Sequence, residues 1–457
     1  MRTAEFFAGY GVDGAAALCH ALLAPPASLA PARLDAAAGL NGVWVIRAWL
    51  QRDGDEARHA LRVAYIWRRP NSTAAAMACA APPSSKAARR HAARLAFYLG
   101  PMNERGTHVA IYDYADLAEV LLGARTVALL YVEPTAADTV EGSAVIKDGV
   151  VAKFAARFPG ALFPIAPQWG GYDGESAALV QLAAVNAVLL LTAATHVFFL
   201  HSGMVAWLTY PAVVARARPA RTAVTCILAV FNATQPHGDR YARISRSVPA
   251  STDVAVVPHV VRPRGFHGPN LRAELGIPAG ATVFGRHGGR DTFDIAFAHD
   301  VVESVSRRKK DTYFVFMNTD NFFAARVGPQ PSNVLFVNGT ANDAAKSKFV
   351  LTCDAMLHAR RFGETFGLSV AEFAAHGRPV LTSALHTNGG DARHHLDALG
   401  ARGIYYTDAA TLDATLTNFD RAAARRKAAY YSRAAYDAPD VVMEKFAAAF
   451  LDDPNDA

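Results

Sequence analysis

Residues 356–383 read MLHARRFGETFGLSVAEFAAHGRPVLTS, and the character of the chain changes three times within them. A short apolar run around Met356 and Leu357 predicts a strand. Gly363-Glu364-Thr365-Phe366-Gly367-Leu368 predicts a loop. Leu368, Val370, Ala371, Phe373 and Ala374 recur at helical spacing, and Gly377-Arg378-Pro379-Val380 stops the helix and restarts extended chain. A strand–loop–helix–strand unit of this kind belongs to a parallel sheet, so the chain is expected to be an α/β protein.

A loop at the carboxyl end of a parallel strand, leading into a helix, presents unpaired N–H groups to a phosphate or sugar oxygen. Glu364 falls in that loop and Glu372 on the helix behind it. The plainer reading makes Glu364 a complement to the helix dipole and Glu372 a solvated helix residue. A hydrolase would also use two carboxylates. Eight positions along one helix would separate them by roughly 12 Å, beyond the roughly 5–9.5 Å of glycosidase pairs. With Glu364 ahead of the helix, that comparison leaves the hydrolase reading weakened but open.

A second loop has comparable chemistry. Residues 281–285 predict a strand, Arg286-His287-Gly288-Gly289-Arg290-Asp291 a loop, and 292–305 a helix. The glycines let backbone approach a ligand, and the two arginines can meet a diphosphate with charge-assisted hydrogen bonds. Upstream, regular alternation begins with a strand at 94–99, a loop at 100–106, a helix at 107–122 and a strand at 126–132. Gly106 and Thr107 open that helix. His201-Ser202-Gly203 follows a Phe-rich strand, and His237 lies in a loop after the strand at 223–230, so both histidines are candidates for a crevice at strand ends.

With 457 residues, 52% hydrophobic and 19% charged, the chain can bury two cores. The Pro- and Gly-rich stretch 263–269 divides them, giving an N-terminal Rossmann-like unit at 91–262 and a C-terminal one at 270–457. Residues 1–90 fall outside the alternation; extended runs at 43–51 and 60–67 around Asp53-Gly54-Asp55 predict a β-hairpin. A net charge of +6 suits a small anionic substrate better than a nucleic acid. Cys19, Cys79, Cys226 and Cys353 have no CxxC spacing, which argues against a zinc site and suits a reducing compartment. Glu5 and Asp13 argue against a signal peptide. No Asp, Glu, Lys or Arg occurs between Ser176 and Ala215, but Gln181, Asn186, Thr192, Thr195 and His196 favour a buried helix and core strand over a membrane span.

The order Glu364, Phe366-Gly367-Leu368, Glu372 and Gly377-x-Pro379-Val380 resembles the E-x7-E signature of the glycosyltransferase-4-like group. The variant beginning His358-Ala359-Arg360 is similar to a subset found in bacteria and large DNA viruses. The resemblance implies a GT-B fold, two doubly wound Rossmann-like domains facing across a cleft, whose last helix commonly returns to the first domain. It implies transfer of a hexose-like sugar from a nucleotide-sugar to a sugar, glycan, lipid or protein acceptor, with retention at the anomeric carbon and without metal or cofactor.

In that scheme Arg286, Gly288, Gly289 and Arg290 would hold the donor diphosphate, Arg290 replacing a lysine that this chain lacks. Glu364, Thr365, Phe366, Gly367 and Leu368 would meet the sugar, and Glu372 the ribose. Gly106, Thr107, Ser202 and Gly203 would face the acceptor, and His201 and His237 would join Arg286 and Glu364 in catalysis. Asp53-Gly54-Asp55 also matches the DxD by which another glycosyltransferase fold holds a metal, although a turn explains it more simply. The alternatives are a non-catalytic nucleotide- or sugar-binding relative and a sugar-nucleotide epimerase or phosphorylase. The expected setting is the cytoplasm, of the host if the protein is viral, with peripheral membrane contact allowed and no nucleic-acid partner.

Overall fold

The structure, a computed structural model, describes residues 47–52, 59–64, 85–132, 148–165, 174–205, 223–262, 266–324, 326–385, 392–428 and 436–453. Strands β1 (Arg47–Arg52) and β2 (His59–Ala64) pair antiparallel as a two-stranded sheet. The turn between them, with Asp53, Gly54 and Asp55, lies outside the described residues.

The next elements are α1 (Lys86–Ala92), β3 (Arg94–Gly100), α2 (Gly106–Leu122), β4 (Arg125–Val132), α3 (Asp148–Arg157) and β5 (Leu162–Ile165). Helix α4 (Gly174–Leu191) and strands β6 (His196–His201), β7 (Val224–Ala229), β8 (Arg240–Arg243) and β9 (Ala255–Val256) follow. Their sheet has the order β5-β4-β3-β6-β7-β8-β9, with every pairing parallel. Strands read as near-continuous apolar runs because both faces are covered. On β6, Phe198 enters the core beneath α2, while Val197 and Phe199 pack with α4 on the other face. Among the described residues no helix is long and apolar enough to cross a membrane; α4 is a covering helix of this sheet.

The second sheet is built from β10 (Thr282–Arg286), α5 (Ala296–Arg308), β11 (Thr312–Met317), β12 (Val334–Val337), α6 (Asp343–Thr352) and β13 (Ala355–His358). It continues with α7 (Leu368–Ala375), β14 (Val380–Ser383), α8 (His394–Leu399), β15 (Ile404–Tyr406) and α9 (Ala409–Thr417). The order β12-β11-β10-β13-β14-β15 is again all parallel and is the doubly wound 3-2-1-4-5-6 arrangement. Each sheet reverses direction of growth beside its first strand, so the loops after β3, β10 and β13 open at switch points, where such folds bind ligands.

Helices α10 (Arg421–Ala428) and α11 (Pro439–Phe450) end the described chain. Val442, Met443, Phe446 and Phe450 of α11 belong to the core of the first sheet, not the second. Phe446 stacks on Phe198 at 4.9 Å and on Tyr114 at 5.3 Å. Burying each of these phenylalanines contributes about 1.5–3 kcal/mol.

Beside α11, Asp452 accepts from Arg90 of α1 at 2.8 Å and from Lys86 at 3.0 Å, which fixes α1 to the end of the chain. The sequence boundary at residue 90 therefore cuts through a docked helix. Removing residues 1–90 is expected to lower stability by about 1–3 kcal/mol relative to removing residues 1–84, because a nearly buried carboxylate loses its charged partners. Denaturant unfolding of the two truncated chains checks this.

Candidate functional site

One cavity of about 360 Å³ lies between the carboxyl ends of the two sheets. Its lining comes from the loop after β3, the ends of β10 and β13, the loop after β12 and the first turns of α7. Contacts between the two sheets close around it. Lys153 of α3 meets Asp343 of α6 at 2.7 Å, Ser245 donates to the carbonyl of Thr365, and His259 packs on Phe366 at 5.0 Å.

Strand β10 ends at Arg286, which is only 3% exposed. Its Nη2 donates to the carbonyl of Gly289 at 2.6 Å and to Thr292 Oγ1 at 2.5 Å, and its Nη1 donates to Thr319 Oγ1. These partners are neutral, and among the described residues Arg286 forms no ion pair. Burial pulls its pKa down to about 10, with Glu364 opposing and Arg360 adding to the shift, so it stays charged at neutral pH. Thr292 is thereby held out of the helix predicted at 292–305. Asp294 Oδ1 likewise accepts from the N–H of Arg361 at 2.7 Å, and α5 starts at Ala296.

Glu364 sits on the turn ahead of α7. Its N–H donates to the carbonyl of Ala392 and its own carbonyl accepts from the N–H of His394, so the turn is pinned on both sides. Its Oε2 accepts from Arg360 Nη1 at 2.6 Å, and His358 Nε2 lies 3.2 Å from Oε1. Burial alone would raise the carboxyl pKa. The His358 hydrogen bond and the Arg360 charge outweigh burial and hold it near 2.

Helix α7 follows from Gly367, at φ +82°, where a Cβ would come within 3.1 Å of the Glu364 side chain. No side chain caps this terminus, and its first residues line the cavity. One turn further on, Glu372 lies between Lys346 and His287. Lys346 Nζ is 3.4 Å from Oε1, and His287 Nε2 is 3.0 Å from Oε2. Among the described residues His287 Nε2 has no other hydrogen-bond partner. Burial opposes ionisation of Glu372, but Lys346 and His287 overcome it and hold the carboxyl well below the usual range.

The residues predicted from sequence thus separate. Gly106, Thr107, Arg286, Gly288, Gly289, Glu364, Thr365, Phe366, Gly367, Leu368 and Glu372 line this one cavity. Arg290 does not. Its side chain is 59% exposed and pairs with Asp320 at 2.8 Å, drawn outward by a carboxylate that loop spacing did not reveal.

His201, Ser202, Gly203 and His237 also lie off the cavity lining. His201 alternates on β6 with Val197 and Phe199, toward the face covered by α4, and its ring packs on His237 at 5.8 Å. Its Nδ1 accepts from the N–H of Gly203, and burial with His237 nearby pushes its pKa down to about 4. Gly203, at φ +93°, is a packing requirement, since a Cβ there would meet the carbonyl of Asn232 at 1.9 Å.

Sequence reading left Arg360, His358, His287 and Lys346 without roles. The first two stand in the His358-Ala359-Arg360 run and could have been assigned from it. Lys346 has no motif, since it enters from α6 and meets Glu372 only in the fold.

No protein-family model matches the sequence, and no curated protein does. Solved structures match the fold. A glycosyltransferase from Rickettsia africae ESF-5 superposes with TM-score 0.52 at 13% identity, over 78% of this chain and 96% of that one. WaaG, a glycosyltransferase involved in lipopolysaccharide biosynthesis, superposes with TM-score 0.50 at 16% identity, over 77% of this chain and 98% of that one. With its two facing parallel sheets, this chain has the GT-B fold.

Proposed function

We propose that the protein is a glycosyltransferase that moves a sugar from a nucleotide-sugar to an acceptor hydroxyl, with retention at the anomeric carbon. The observation that carries this reading is the grouping, around one cavity, of buried Arg286, Arg360, the uncapped start of α7 and ionised Glu364. Two guanidiniums and a helix N-terminus suit a diphosphate.

The donor diphosphate lies against Arg286 and Arg360. Arg360, whose Nη1 is engaged by Glu364, supplies the second cation in place of Arg290. Glu364 holds the sugar and Glu372 the ribose hydroxyls. As the bond from the anomeric carbon to the diphosphate oxygen breaks, its electron pair stays on that oxygen. The acceptor oxygen bonds to the same carbon on the same face and passes its proton to the leaving diphosphate. Charge that develops on the leaving group is stabilised by side chains already in place, so no metal is required for that role.

Glu372→Ala is expected to weaken donor binding by roughly tenfold or more with a smaller change in kcat, since the ribose contact is made in ground and transition states alike. Calorimetric titration of donor, alongside steady-state kinetics, measures the split. Unchanged affinity removes Glu372 from the donor site.

The reading is tested by incubating the protein with a panel of nucleotide-sugars, with and without sugar acceptors, and following nucleoside diphosphate by mass spectrometry. Release that requires inorganic phosphate, or isomerised donor with no diphosphate released, would instead mark a phosphorylase or an epimerase.

A further inference from the structure

At the other end of the second sheet, three arginines converge on one carboxylate and a fourth lies beside them. Asp354, 1% exposed, immediately precedes β13, so this cluster lies at the amino ends of the strands while the cleft lies at their carboxyl ends. Its Oδ2 accepts from the N–H of Val283 at 2.9 Å and from Arg272 Nη2 at 2.7 Å. Its Oδ1 accepts from Arg425 Nη2 at 2.7 Å, and Arg421 Nη1 approaches Oδ2 at 3.8 Å. Arg378 lines the same groove and donates through Nη2 to the carbonyl of Leu351.

One carboxylate cannot balance this set. Arg272 is consumed by Asp354 and by carbonyls of Thr352, Ala279 and Ala281. Arg378 is not: its Nε is buried without a hydrogen-bond partner, an arrangement that leaves a charged donor unsatisfied. Arg421 and Arg425, one turn apart on α10, remain 39% and 49% exposed and turn further donors into the groove. Burial and the neighbouring Arg425 charge both press down on the Arg378 pKa, a stress that an anion would relieve.

We propose that this groove is a second anion site that binds a phosphate or diphosphate group through Arg378, Arg421 and Arg425. Guanidiniums match phosphate oxygens in paired, directional hydrogen bonds, which makes a phosphoryl group the fitting ligand class. The phosphoryl group belongs either to a free small molecule or to a lipid headgroup. The proposal is independent of glycosyl transfer.

The test uses the full chain carrying Arg286→Met, so that the cleft contributes little, titrated with pyrophosphate by calorimetry. One equivalent is expected to bind, and Arg421→Gln with Arg425→Gln is expected to weaken it at least tenfold. Arg425→Lys, which keeps the charge, recovers part of the loss. Pyrophosphate should also shield Arg421 and Arg425 from phenylglyoxal in the unsubstituted protein, read by peptide mass spectrometry, a measurement that needs no variant.

Sedimentation with phosphatidylcholine vesicles, with or without phosphatidic acid, separates the sources. Binding only to phosphatidate vesicles assigns a lipid headgroup, and binding to free pyrophosphate assigns a soluble ligand. Absence of both, binding of either ligand that survives the double substitution, or pyrophosphate binding that leaves Arg421 and Arg425 unshielded would overturn the proposal.

Discussion

Arg286→Met is expected to lower kcat/KM by roughly tenfold to several hundredfold while the protein stays folded. A hydrogen bond from a guanidinium to a charged group contributes about 1.5–3 kcal/mol, and more where water is excluded. Arg286 is buried beside the cavity, remains ionised, and among the described residues forms no ion pair, so its donors can turn to a diphosphate. Methionine keeps much of the side-chain length and removes the charge. Steady-state kinetics with a thermal unfolding control separates lost function from lost fold, and near-normal kcat/KM in a folded variant removes Arg286 from the reaction.

Glu364→Gln is the second large effect. The carboxylate is held by His358 and Arg360 on a turn whose backbone is fixed by Ala392 and His394, so it meets a ligand without rearrangement. An amide keeps the shape but loses the charge, and it leaves Arg360 without its anion. Turnover is expected to fall at least tenfold, with a smaller change in donor affinity.

The pH dependence has a definite sign. The folded pKa near 2 lies below the ordinary carboxyl value of about 4.3, so Glu364 contributes stability above that value and loses it as pH falls toward 2. Glu364→Gln should therefore narrow the stability difference between pH 7 and pH 3, measured by denaturant unfolding. An acid limb in the rate profile between pH 5 and 8 belongs to another group.

The local signals in the sequence carried far where chemistry and periodicity coincided. The glycine loop, the amphipathic run from Leu368 to Ala374 and the Gly377–Pro379 stop located one strand–loop–helix–strand unit. The alternation of strands and helices located both sheets. Arg286 ends β10, Glu364 stands on the turn between β13 and α7, and Glu372 lies one turn into α7; these positions are fixed by local sequence, and the three meet in one cavity.

What sequence could not place was decided by contacts distant along the chain. Arg290 is turned outward by Asp320. His201 is carried to the far face by strand alternation, whose phase depends on which side α4 covers. Lys346 reaches Glu372 from α6, and the last helix is claimed by Phe198 and Tyr114, whose partnership with Phe446 no periodicity encodes.

The central claim, that buried cations of this cavity stabilise a leaving nucleoside diphosphate, is tested most directly by one assay. The purified protein and its Arg286→Met variant are given the donor found by screening, with EDTA or with manganese, and nucleoside diphosphate release is followed with acceptor present. Release by the unsubstituted protein that is undiminished in EDTA and falls at least tenfold in Arg286→Met is the predicted result. Release that stops in EDTA, returns with manganese and is near normal in Arg286→Met would contradict it.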